Sequence, residues 1–142
     1  MARALEPVMN VAELEAFLNQ AFPGRGMQTE LLELAPGRAL VALDPGESHL
    51  RPGKLVSGPT QMGLADHAAY AVILAHIGPV AMAVTSNLNF TFLRGVRLER
   101  LYAEARLLRL GRRLASVDVL LWQNDKAHPV GQATVTYALP DS

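Results

Sequence analysis

The sequence predicts an α+β fold in which a curved antiparallel sheet of five or six strands wraps around one long helix. Three observations carry that expectation. Residues 59–77 have helix length, Asp66 is their only formally charged side chain, and a helix that is apolar on most sides is a buried one. Apolar and polar residues alternate both before and after that helix, which suits strands packed on it in an α+β layer. The 142 residues, half of them apolar, suit a single domain over 1–142 with a sizeable core.

The lead-in, residues 1–26, carries a short amphipathic helix over 10–22. Asn10 and Glu13 have the spacing of a capping box, Val11, Leu14, Phe17 and Leu18 recur at helical intervals, and Pro23-Gly24 supplies the stop. Met27–Leu34 and Arg38–Leu43 read as a hairpin turning at Pro36-Gly37. Residues 44–53 gather Asp, Pro, Gly and Ser into a loop. The central helix, 59–77, starts with Pro59 at its first position and stops at Gly78-Pro79. A strand meander over 80–139 follows, with strands Val80–Leu93, Leu98–Leu110, Leu114–Gln123 and Val130–Leu139, a turn at Gly111-Arg112 and a polar loop over 124–129. In the first of these strands Thr85, Asn87, Asn89 and Thr91 alternate with Leu88, Phe90 and Phe92.

Composition removes several function classes. The chain has no Cys, so no thiol nucleophile and no thiolate metal site. Its 13 basic residues balance 13 acidic ones, which leaves no bulk electrostatic case for nucleic acid or an anionic membrane. The excess is local, since residues 51–142 hold ten bases and six acids. No apolar run approaches spanning length. Glu6, Pro7, Asn10 and Glu13 occupy the positions where a signal peptide needs an unbroken apolar stretch, so a cytoplasmic location is expected. The four His form no metal site. His67 and His76 are nine residues apart, on opposite sides of a helix. His76 near the helix C-terminus has a reason in the helix dipole, His67 reads as a wall or interface residue, and His128 sits in the polar loop. Ser57 lacks the Gly-x-Ser-x-Gly setting of a serine hydrolase.

Asp66 demands an explanation, because desolvating a carboxylate in an apolar helix costs several kcal/mol unless it is paired or hydrated. Either an Arg from another segment neutralises it, or it faces solvent at a gap in the sheet, or it is a general base or nucleophile. Gly58 offers a complementary group, since a helix N-terminus presents unsatisfied N–H donors and Gly lets a ligand approach them. Pro59 has no N–H, so the donor is Gly58 or Thr60 and its neighbours; an ordinary helix start is the plainer account. The two positions are eight residues apart, about 12 Å along a helix. Met62, Gly63 and Tyr70 share the Asp66 face, and Tyr70 either orients the carboxylate, lines a pocket or packs in the core.

The run His49-Leu50-Arg51-Pro52-Gly53, then Val56-Ser57-Gly58-Pro59, then Leu64-Ala65-Asp66 resembles the hotdog-fold acyl-CoA thioesterases of the phenylacetyl-CoA thioesterase-like (PaaI-like) group. In that group a loop ending in His-Gly-Gly leads into the central helix, and a catalytic Asp lies nine residues after the His. Ser57 stands at the His position, Gly58 at the first Gly and Asp66 at the Asp. Residues 84–93 look like the strand after the helix and Gly111–Ala115 like the last long hairpin, so the resemblance covers about 27–139. Two positions depart from it: Ser57 replaces the His, and Arg51 replaces an Asn six residues before it that helps bind the carbonyl.

The resemblance implies hydrolysis of an acyl-CoA to free acid and CoA. Asp66 activates water or attacks directly, Gly58 binds the oxyanion, Thr85 steadies the water, and His49 or Arg51 stands in for the missing Asn. One carbonyl cannot touch both Gly58 and Asp66 of one helix, so two antiparallel helices from a homodimer, or from a tetramer built of two dimers, share the site. No metal or redox cofactor is implied, CoA being part of the substrate. The alternative within the same fold is binding of an acyl-CoA or acyl carrier without hydrolysis. Seven Arg fall between 94 and 113 against Glu99 and Glu104; Arg112 and Arg113 at the hairpin tip are the candidates to grip the nucleotide end of CoA, with a solvated rim as the plainer reading.

Overall fold

The computed structural model describes residues 5–22 and 29–140. Helix α1 spans Val11–Ala21, and Asn10 and Glu13 cap it reciprocally, Glu13 N–H donating to Asn10 Oδ1 at 2.8 Å and Asn10 N–H to Glu13 Oε1 at 3.0 Å. The Pro23-Gly24 stop and residues 27–28 of the first expected strand lie outside the described residues. Strands β1 (Thr29–Ala35) and β2 (Arg38–Leu43) form the expected hairpin. The expected loop over 44–53 is more structured than its composition suggests. It contains a 3-10 turn at Glu47–His49 and opens a small hairpin of β3 (Leu50–Arg51) and β4 (Leu55–Val56).

Helix α2, Gly58–Ile77, has Ser57 as its N-cap and Gly78 as its C-cap at φ 97°, a conformation that favours Gly. Strands β5 (Val84–Phe92), β6 (Leu101–Leu110), β7 (Leu114–Trp122) and β8 (Gly131–Ala138) follow. The sheet order is β1-β2-β6-β7-β8-β5, every pair antiparallel. This corrects the simple meander. β6, β7 and β8 are successive hairpins, but β5 crosses to the far edge beside β8 and β2 takes the place next to β6. Alternation marks each strand without naming its neighbour, and burial decides the order. The inward rows of β6 and β7 are sealed, with Ala103, Ala105, Val117 and Val119 at 0% exposure, while Val84 and Phe92 on β5 stay 50% and 51% exposed.

The core lies between the inner face of the sheet and α2. Ala39, Ala103, Ala105, Ala115 and Ala133 on the strands and Ala65, Ala68, Ala69, Ala71 and Ala75 on the helix are all buried. Small side chains on both surfaces let a helix approach a sheet closely and exclude water along its length. Leu14 and Leu18 of α1 close over the cluster, and Val8 N–H donates to Ala75 O at 2.7 Å.

His76 has a different role from the dipole partner expected. Its Nε2 accepts Gly37 N–H at 2.9 Å, so Nδ1 carries the proton and donates to Val72 O at 2.7 Å. The imidazole joins the end of α2 to the tip of the β1–β2 hairpin.

The register of β5 and β8 shifts between Thr85 and Asn87, with Thr85 opposite Tyr137 and Asn87 opposite Thr136. Ser86 is the extra residue of a β-bulge. Strict alternation puts Thr85 with Asn87 and Asn89 on the outer face. The bulge changes the phase, so Thr85 joins Leu88, Phe90 and Phe92 on the side that carries α2.

Candidate active site

β5 runs back along α2, and one helix and one strand therefore frame both ends of the candidate site. Thr85 lies at Asp66. At the other end a Cβ on Gly58 would stand 3.1 Å from Phe92 Cζ. Only Gly at 58 leaves the Phe92 ring this close to the helix start. Met62, on the same helix between the two ends, is 37% exposed.

At the Asp66 end the carboxylate is half-buried. Among the described residues no cation pairs with it; two hydroxyls hold it. Thr85 Oγ1 donates to Oδ1 at 2.6 Å, and Tyr137 Oη donates to the same oxygen at 2.9 Å and to the Asp66 carbonyl at 3.2 Å. Oδ2 has no protein partner among the described residues. Burial, reinforced by the charge of Asp66, pushes the Tyr137 phenol far above the ordinary tyrosine range, so it remains a donor. Tyr70 does not reach the carboxylate, and its hydroxyl donates to Ala81 O at 3.2 Å. Its ring packs between Phe22 and Tyr137, with centroids 5.7 and 5.9 Å away. Core packing is therefore its observed role. His67 points elsewhere, its Nε2 bonded to Thr29 Oγ1 at 2.9 Å, and burial pushes its pKa down against the pull of Asp66.

At the Gly58 end the first turn of α2 distributes its donors unequally. Thr60 N–H takes Ser57 Oγ at 3.3 Å, Gln61 N–H takes Ser57 O at 3.2 Å, and Pro59 has no N–H. Gly58 N–H is left without a partner among the described residues. Ser57, also bonded to Thr60 Oγ1 at 2.8 Å, is committed to capping the helix. Ser57 N–H in turn donates to His49 O at 2.8 Å, which holds His49 beside the helix start. His49 Nδ1 accepts Gly46 N–H at 2.9 Å, leaving Nε2 as the protonated nitrogen of the neutral ring. Arg51 is exposed and turns its Nε onto Pro52 O at 3.1 Å.

Arg112 and Arg113 are exposed at the tip of the β6–β7 hairpin, which Gly111 N–H closes on Leu114 O at 2.9 Å. Ala115 and Thr85 both pair with Tyr137 across β8, so this tip belongs to the Asp66 end of the sheet. The structure thus gathers Asp66 and Thr85 at one end, and His49, Arg51, Ser57 and Gly58 at the other. The residue missed by the sequence reading is Tyr137. Among the described residues no group of three or more His, Asp or Glu is arranged to hold a metal ion, and no helix is long and apolar enough to cross a membrane.

Comparison with known proteins agrees with this architecture. No curated protein matches the chain. Among solved structures, a candidate thioesterase from Silicibacter sp. TM1040 is 40% identical, covers 99% of this chain and 98% of its own, and superposes with a TM-score of 0.88. The phenylacetic acid degradation protein PaaI of Thermus thermophilus is 27% identical over 80% of this chain and 95% of its own, with a TM-score of 0.71. A Streptococcus mutans protein bound to acetyl CoA shares the fold at 22% identity, covering 81% of this chain and 90% of its own, with a TM-score of 0.72. The helix wrapped by a six-stranded antiparallel sheet is the hotdog fold. The model of the thioesterase superfamily matches residues 53–129, which run from the β3–β4 hairpin through α2 and Thr85 to the loop before β8, and the chain belongs to that superfamily.

Proposed function

We propose that the protein hydrolyses an acyl-CoA thioester to the free acid and CoA. One observation carries the reading: α2 holds a carboxylate oxygen, Asp66 Oδ2, and a backbone donor, Gly58 N–H, both without a partner among the described residues. An acceptor that can take a proton and a donor that can meet a developing oxyanion are the two groups thioester hydrolysis requires. In this reading Oδ2 takes a proton from water, the water oxygen bonds to the thioester carbon, and Gly58 N–H stabilises the charge on the carbonyl oxygen. The C–S bond then breaks and the proton passes to the leaving thiolate. In the alternative route Oδ2 itself attacks, and water cleaves the resulting anhydride.

Thr85 spends its only O–H on Oδ1, so its lone pairs are free to accept a hydrogen of the attacking water. Of the candidates for a second oxyanion donor, His49 fits better than Arg51, whose Nε is engaged with Pro52 O. The separation of about 12 Å between Gly58 and Asp66 requires the two groups to come from different copies of the chain. The open edge of β5, with Val84 and Phe92 half-exposed, supports a second copy lying along it, in a homodimer or a tetramer of two dimers. Acetyl CoA in the Streptococcus mutans protein supports a CoA ester as the ligand. Arg112 and Arg113 bind its nucleotide end in this reading, no metal or redox cofactor takes part, and the work is done in the cytoplasm.

The test is release of free thiol from a panel of aromatic and aliphatic acyl-CoA esters by the native chain and by Asp66→Asn. The protein has no Cys and adds no thiol of its own. Release that collapses in the variant is the expected result. No release from any ester by a folded oligomer overturns the reading in favour of binding without hydrolysis. Full activity in a species that is monomeric at micromolar concentration overturns the shared site.

A further inference from the structure

We infer that Tyr137 is the positioning residue of the site: its hydroxyl anchors Asp66 Oδ1 so that Oδ2 alone is left to react. The inference rests on the reading of Asp66 as the reacting group. A carboxylate has two equivalent oxygens and a freely turning Cβ–Cγ bond, and only a fixed partner makes one oxygen the reacting one. Thr85 and Tyr137 both donate to Oδ1, at 2.6 and 2.9 Å, but they do so from different surroundings. Thr85 lies on the edge strand β5 and in this reading also meets the attacking water, which competes for its hydrogen bond. Tyr137 is 3% exposed on β8, where a hydrogen bond is stronger and its loss is more costly.

The phenol is itself held in place. Tyr70 packs on its ring, Phe22 packs edge-on against Tyr70, and the Tyr70 hydroxyl is tied to Ala81 O. The second contact of Tyr137, to the backbone carbonyl of Asp66 at 3.2 Å, keeps the hydroxyl at the base of the Asp66 side chain. The inward neighbours of Tyr137 on β8, Ala133 and Val135, are apolar, and Phe would fill the same volume without a hydroxyl to desolvate. The O–H is accounted for by Asp66. Two hydroxyls therefore divide the work in this reading: Thr85 accepts from the water, and Tyr137 holds the group that activates it.

The experiment compares Tyr137→Phe with the native oligomer by steady-state kinetics and by the carboxyl carbon resonance of Asp66 in protein labelled with ¹³C at aspartate. The expected result is a kcat lower by about tenfold to a hundredfold, the scale of a misaligned reacting group. KM stays within about twofold, on the ground that Tyr137 makes no ground-state contact with substrate, and the Asp66 resonance moves. An unchanged kcat in an active enzyme overturns the inference, and so does an unmoved Asp66 resonance. Replacement of Tyr137 by 3-fluorotyrosine keeps the ring and the hydroxyl, so it serves if the Phe variant does not fold. The stronger phenol donor must then shift the Asp66 resonance, and no shift overturns the inference. Because the resonance reads the hydrogen bond without substrate, it separates failure of this inference from failure of the hydrolase reading, in which the native chain releases no thiol.

Discussion

Asp66 and Glu104 are both carboxylates set among buried apolar residues, and the protein surrounds them in opposite ways. Glu104, on the outer face of β6, is 2% exposed and meets three cations: Arg38 Nε at 2.5 Å, Lys126 Nζ at 2.7 Å and Arg106 Nε at 3.1 Å. Burial alone would push its carboxyl up, but hydrogen bonds from Lys126 and Arg38 and the charge of Arg106 outweigh that and hold it down at about 2. Asp66 is half-buried and, among the described residues, forms no ion pair and keeps one oxygen without a partner. The ion pair with a distant Arg, considered for Asp66 on sequence grounds, is found at Glu104 instead. A carboxylate that only holds the fold together is neutralised, whereas one left with an open oxygen is available for chemistry.

The sharpest way to break this comparison is to neutralise each carboxylate in turn. Asp66→Asn keeps an oxygen for Tyr137 and Thr85 and replaces only Oδ2, so kcat for thioester hydrolysis falls by about 10³-fold while the denaturation midpoint stays where it was. Glu104→Gln does the reverse. It leaves three cations around a neutral amide and lowers stability by about 3 kcal/mol in urea titration, with the folded fraction retaining native turnover. The sign with pH follows from the depressed carboxyl. The stability Glu104 adds is present in full above its unfolded value of 4.5 and is lost as pH falls through about 2. The gap between native and Glu104→Gln in urea midpoint should therefore close over that acid range, and a gap that persists unchanged to pH 2 refutes the assignment.

Smaller effects sharpen the Asp66 side. Thr85→Ala removes the hydroxyl and lowers kcat by about tenfold, while deletion of Ser86, the extra residue, makes the strand regular with Thr85 still opposite Tyr137 and Asn87 still opposite Thr136, and therefore lowers kcat less. A Ser86 deletion no more active than Thr85→Ala contradicts the reading of Ser86 as the extra residue. The least effect is expected at the hairpin tip. Arg112→Ala with Arg113→Ala raises KM for an acyl-CoA by about twofold to threefold, in keeping with the modest worth of exposed charges, and an unchanged KM removes both from the site.

Much of this arrangement was legible in the sequence because local chemistry specified it. Pro59 and Gly78 bracket α2 within a residue of its observed ends, and Asp66 stood out as the single charge in nineteen positions. What escaped the reading depends on contacts between distant segments. Tyr137 is 71 residues from Asp66 and sits in a row of alternating apolar residues, where a Tyr resembles any other core residue. Glu104 lay within a run of Arg, yet two of its three cations, Arg38 and Lys126, come from other segments. The place of β5 at the sheet edge was invisible because alternation records which face is buried and not which strand lies alongside.

The extra residue at Ser86 divides β5 into two stretches of opposite parity. From Asn87 onward, even-numbered positions look toward α2 and odd-numbered ones away; before it, odd-numbered Thr85 looks toward α2. Tolerance to substitution along this strand should therefore invert at residue 86. A charged side chain acceptable at 87, 89 or 91 is unacceptable at 85, although all four positions look equivalent when the strand is counted in twos. Relatives that lack the inserted residue must recruit their hydroxyl from a position of the other parity, so a shift of one residue in alignment at this point reflects geometry rather than an error.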